Sequence, residues 1–153
     1  MEQDILDKPF LPLDRLRILK YFSVYSAVIT GVLMGLFFSD IDLDFLGVLN
    51  PKLYPMVLSF HAVMTIVFMV LAFSVGQAHY DHLIAFFLID ITLVAGLIYS
   101  SGSGTTLSYL MIINIAVGNA LVSGEKGFLL SAWATICLGF IEYQFQQGGH
   151  DYN

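Results

Sequence analysis

Residues 89–145 read IDITLVAGLIYSSGSGTTLSYLMIINIAVGNALVSGEKGFLLSAWATICLGFIEYQF. Three apolar runs are separated by two short breaks, Ser100–Thr105 (SSGSGT) and Ser123–Gly127 (SGEKG). Each run has about 18 to 20 residues, the length that carries a helix across ~30 Å of hydrocarbon. Glycine in the breaks permits positive φ, and serine competes for backbone hydrogen bonds, so the helices should stop there. The stretch therefore predicts three transmembrane helices joined by tight turns.

Working outward, the composition agrees. Of 153 residues, 58% are hydrophobic and 12% charged, and the mean hydropathy is +0.80. Such a chain belongs in a membrane. The formal net charge of −6 argues against nucleic-acid binding. The one cysteine, Cys137, lies in an apolar run, so neither a disulfide framework nor a thiolate metal site is available.

The fold class is all-α, a polytopic transmembrane helix bundle with five spans. The expected spans are residues 18–38, 55–75, 83–99, 106–122 and 128–145. Residues 1–17 form an N-terminal segment, with Asp14 as a candidate N-cap. Residues 146–153 form an outer-side tail. Lys and Arg near span ends set orientation. Arg15, Arg17 and Lys20 precede the first span and Lys126 lies in the turn from the fourth to the fifth, so the N-terminus is expected on the cytoplasmic side.

Several polar residues fall inside the spans. Asp90 lies about seven residues into the third, roughly 10 Å deep. An ionisable group there is a functional candidate by default, with a hydrogen-bonded helix link as the plain alternative. Asn119 lies at a similar depth on the fourth span and is the expected partner, with Asn114 a turn deeper. His61 in the second span is expected to bond across helices, and Glu142 in the fifth lies at its level. Ser23, Ala27, Gly31 and Gly35 make a ladder of small side chains containing a GxxxG. That ladder is either a dimer seam or a packing face for the chain's own second or third span.

Two weaker patterns read as solvated turns. Asp40-x-Asp42-x-Asp44 begins like a calcium loop but has Phe45 and Pro51 where the template needs Gly and Glu. His79-x-x-His82 with Asp81 lies in a polar turn. No metal is therefore assigned. No phosphoacceptor segment, Gly-rich nucleotide loop or nucleophile–base arrangement suggests itself, so no catalytic residue is assigned.

The order of features resembles a known family. An Asp in an apolar run, SGSGTTLS, a run ending IAVGNALV-SGEKG, and FLLSAWATI are similar to the membrane region of PilS-type sensor histidine kinases, which control type IV pilus genes. The resemblance implies a signal-sensing input region that detects a stimulus in the membrane, pilin being the proposed one. It implies relay to PAS and kinase domains absent from this chain, and through them to a response regulator. It also implies a homodimer, and a sixth span beyond an outer loop that residues 146–153 would begin. The alternative is a small haem-binding membrane redox protein. Ser59-Phe60-His61-Ala62 with Met64 resembles the haem-ligand helix of haem–copper oxidases, with Met34, Met64 or Met111 as a second ligand. On the first reading no cofactor is expected.

Overall fold

The computed structural model describes residues 13–39, 46–74, 80–102, 107–122 and 125–148. They form five helices: α1 (Leu13–Phe38), α2 (Leu53–Ser74), α3 (Tyr80–Ser101), α4 (Ser108–Leu121) and α5 (Glu125–Gly148). Among the described residues there is no strand. The N-terminal segment up to residue 12, the Asp40–Asp44 acidic loop, His79, and residues 149–153 of the tail lie outside them.

Four helices, α1, α2, α3 and α5, are long and apolar enough to cross a membrane. Their outward faces are apolar too, with Val28, Val63, Ile66, Val70, Ile136 and Phe140 all exposed. Helices apolar all round are what a lipid solvent selects. The expected boundaries shift at polar ends. α1 starts ahead of its apolar run, and Asp14, the candidate cap, is instead its second residue. Acid in a first turn suits the helix dipole. α5 likewise takes in Glu125 and Lys126 at one end and Gln146 and Gln147 at the other. Helical hydrogen bonding does not stop where hydrocarbon does.

α4 is the exception in length. Its 14 residues reach about 21 Å at 1.5 Å per residue, short of the ~30 Å hydrocarbon core. It is sheltered by contact with α1, α3 and α5. Its terminal carbonyls are met from within the protein. Val122 N–H donates to Gly118 O at 2.8 Å, and the Arg15 guanidinium donates to Leu121 O at 3.3 Å. A cation at a helix C-terminus also opposes the negative end of its dipole.

The helix contacts define the plan. α1 touches α2, α2 touches α3, α3 touches α4, and α4 touches α1. These four close a ring, and α5 lies outside it in the groove between α3 and α4. α3 is the axis: half of its span is buried, against 17–28% for the other three. Chain direction alternates, so Arg15, Arg17, Lys20 and Lys126 gather at one end, with Lys52 at the other. Near the basic end Phe22 stacks on Phe87 at 5.4 Å and Phe68 on Phe86 at 3.8 Å, joining α1, α2 and α3.

At the opposite end the segment before α2 folds onto the end of α3. Leu49 and Asn50 N–H both donate to Ser100 O, at 3.1 and 3.0 Å. Gly47 N–H donates to Ser101 Oγ at 3.1 Å. Asn50 Oδ1 accepts from Leu53 N–H at 3.0 Å at the start of α2, and Pro51 lies in the turn between them, where it has no N–H to satisfy. α3 ends at Gly102, whose φ of +100° is the left-handed conformation that closes a helix. The last helical residue, Ser101, is two beyond the expected end at residue 99, and Ser100 bonds back to Leu97 O at 3.0 Å inside the helix.

Candidate functional site

Each helix of the ring buries a stripe spaced three and four residues apart. On α2 the stripe is Tyr54, Leu58, His61, Thr65, Phe68 and Ala72. On α4 it is Met111, Asn114, Gly118 and Leu121. On α3 it runs through Leu83, Phe87, Asp90, Val94 and Leu97, and on α1 through Leu19, Phe22, Thr30 and Leu33, with the half-buried Ser26 between Phe22 and Thr30. This spacing keeps a seam turned toward its neighbours. Each stripe carries a polar side chain, Thr30, His61, Asp90 or Asn114, and these four meet across the ring.

They form a continuous chain of bonds across the ring. Thr30 Oγ1 lies 2.7 Å from Ser26 O and 3.0 Å from His61 Nδ1. His61 Nε2 is 2.9 Å from Asp90 Oδ1. Asn114 Nδ2 donates to Asp90 Oδ2 at 2.6 Å. All four residues are buried, at 3–6% exposure. An isolated carboxylate here would cost several kcal/mol. Donors on both sides of Asp90 offset that cost, so the chain fastens α1, α2, α3 and α4 to one another.

The other expected pairings differ. Asn119, the expected partner of Asp90, is exposed and donates to Ser131 Oγ at 3.1 Å. A helix rotates about 100° per residue, so Asn119 and Asn114 face different neighbours. Asn119 serves the α4–α5 turn instead: a Cβ on Gly127 would stand 2.8 Å from its Oδ1 and 2.9 Å from Val122 O. Gly118 is equally tight, with Leu130 Cδ1 2.8 Å from an added Cβ. So Gly118, Asn119 and Gly127 of the IAVGNALV-SGEKG motif pack two helices closely.

Glu142 is exposed and accepts from Gln146 Nε2 at 3.3 Å. It does not meet His61, because α5 and α2 share no contact. The haem alternative also meets an obstacle, since both ring nitrogens of His61 are engaged by Thr30 and Asp90. In the small-residue ladder, Ser23 is buried and bonds back to Lys20 O at 2.8 Å. Gly31 and Gly35 are exposed, and an added Cβ at either meets nothing within 4 Å. Those two glycines therefore do not pack against the chain's own second or third span. The His79-x-x-His82 pair falls partly outside the described residues, among which no cluster of three metal-ligating side chains occurs.

Sequence reasoning missed Thr30 and the Trp133 Nε1–Thr92 Oγ1 bond of 2.9 Å that ties α5 to α3. Thr30 sits on the same spacing as Leu19, Phe22 and Leu33, a signal that was readable. The Trp133 bond faces outward beside an open apolar groove of about 400 Å³ lined by Phe60, Leu88, Ile89 and Leu93, and no periodicity marks it.

A family model described as a PilS-like transmembrane domain matches residues 13–152. No curated protein and no solved structure matches the chain.

Proposed function

The chain belongs to the PilS-like transmembrane domain family, and from that membership we propose that it is the membrane input region of a two-component sensor histidine kinase. It detects a signal within the bilayer, a pilin transmembrane segment being the stimulus the family resemblance suggests. It relays that signal to cytoplasmic kinase domains outside this chain. The N-terminus and the basic end face the cytoplasm of a bacterial inner membrane, as the clustering of Arg15, Arg17, Lys20 and Lys126 favours. The working unit is a homodimer, and the open Gly31–Gly35 face of α1 is its candidate seam.

The observation that carries the reading is the polar chain of Thr30, His61, Asp90 and Asn114. A bundle fastened through one buried set of bonds has few discrete packings. A ligand that favours one packing shifts the population without chemistry of its own. The test is a fusion of this chain to the cytoplasmic kinase core of a sensor, assayed for autophosphorylation in membranes. Asp90→Leu, which strands His61 Nε2 and Asn114 Nδ2, should lock the output high or low. Output from Asp90→Leu identical to that of the parent fusion, with and without the stimulus, would count against the reading.

A further inference from the structure

The bonds around His61 fix a proton count. The Thr30 hydroxyl has one proton and two neighbours. Ser26 O, at 2.7 Å, can only accept, so the hydroxyl proton goes there. Toward His61 Nδ1, at 3.0 Å, Thr30 Oγ1 then accepts, and Nδ1 carries a hydrogen. Across the ring, Nε2 lies 2.9 Å from Asp90 Oδ1. A neutral imidazole protonated at Nδ1 presents a lone pair there, and an ionised carboxylate presents another. The contact needs one further proton, on Nε2 or on Oδ1. Either placement leaves the pair with no net charge, which is what an apolar interior favours.

Loss of that proton rearranges the whole chain. With His61 neutral and Asp90 ionised, the ring hydrogen must sit on Nε2 to hold the carboxylate. Nδ1 becomes an acceptor, and the Thr30 hydroxyl must turn away from Ser26 O to reach it. A net negative charge remains, with His61 and Asn114 as its donors. Water entry or helix separation then lowers its cost. The bond that must rearrange, Thr30 to His61, joins α1 to α2, and these two are each held by two helices while α3 and α4 are each held by three.

We propose that the His61–Asp90 pair is a proton-binding site, with Thr30 and Asn114 as its fixed partners, and that its occupancy selects between two packings of α1 against α2. Among the described residues the bonds to the pair come from Thr30 on α1 and Asn114 on α4. Lys20 lies ten residues from Thr30 and His82 eight from Asp90 along their helices, about 15 and 12 Å. Arg15, Arg17 and Asp14 are farther still, and Lys126 and Glu125 stand at the basic end of α5. Tyr25, Tyr54, Tyr99, Tyr109, Cys137, Glu142 and Tyr143 make no bond to the pair. Use of this proton as a signal rests on the sensor reading above, whereas the proton count does not.

The experiment is nitrogen NMR of the chain in lipid nanodiscs, with histidine rings labelled and the His61 signals identified by their loss in His61→Gln. At the acid end of a pH series Nδ1 should be protonated, with Nε2 either protonated as well or bare beside a carboxylic acid. A ring protonated on Nε2 alone at that end overturns the proposal. In parallel, spin labels at Val28→Cys and Val63→Cys, in a Cys137→Ser background, report the α1–α2 spacing. The spacing should shift across the same pH series, in step with loss of the shared proton from the NMR signals. Asp90→Asn imitates the protonated acid, donating to Nε2 and accepting from Asn114, and should hold the low-pH spacing throughout. A pH-independent spacing in the Asp90 chain, or an equal shift in Asp90→Asn, overturns the switch. Neither readout involves a kinase, so failure of the sensor reading would show only in the fusion assay.

Discussion

Asp90 has the most to lose from burial in this bundle, and both of its carboxylate oxygens are engaged. Removing its carboxylate leaves His61 Nε2 and Asn114 Nδ2 without their acceptor in an apolar interior. Asp90→Leu is therefore expected to lower stability by about 1–3 kcal/mol, the cost of stranding buried polar groups. Asp90→Asn should cost distinctly less, because an amide supplies both a donor and an acceptor. Unfolding of both variants in detergent, followed by circular dichroism, checks the ranking. Thr65 presents the opposite case. It lies one turn from His61 on the same buried stripe, and its hydroxyl has no hydrogen-bond partner among the described residues. Thr65→Val keeps the shape and removes the stranded hydroxyl, so it should be neutral or stabilising in the same assay. A loss above about 1 kcal/mol would show that the hydroxyl does have a partner in lipid.

At the scale of elements, α4 is the piece that depends most on its neighbours. It is short, its carbonyl end is met by Arg15, and its turn into α5 closes over Gly127. A methyl on Gly127 must displace the Asn119 side chain or the Val122 carbonyl, so Gly127→Ala should cost about 1–3 kcal/mol, as overpacking does. Gly31→Ile makes the contrasting prediction on α1. Its side chain enters open space, so the monomer should keep its thermal stability. If the exposed face is the dimer seam, self-association in a membrane two-hybrid assay should fall. Association unchanged by Gly31→Ile and by Gly35→Ile together would move the seam elsewhere.

For the whole molecule the question is which end faces which compartment, and whether so short an α4 still reverses the chain. The proposed orientation puts Gly102 outside and Val122 inside. Alkaline phosphatase fused after Gly102 should be active and after Val122 inactive, with activity returning after Gly148. Activity at both Gly102 and Val122 would make α4 a re-entrant helix and reverse the expected side of α5's end. The helical membrane character behind these expectations was legible in the sequence alone. Burial of a hydrophobic run and the hydrogen-bonding needs of a backbone in lipid are properties of consecutive residues, so length and composition suffice for them. The Gly and Ser breaks and the Asn50-Pro51 turn are local as well. The candidate polar residues could be named for the same reason, since an ion in hydrocarbon is costly wherever its helix packs. Their partners could not be read. Whether Asp90 meets Asn114 or Asn119, and whether His61 meets Asp90 or Glu142, depends on the rotation and neighbour order of whole helices. Those are set by the closing of the α1–α4 ring with α5 outside it. Depth follows from counting residues, whereas azimuth follows from the summed packing of five helices, and only the tertiary structure decides that sum.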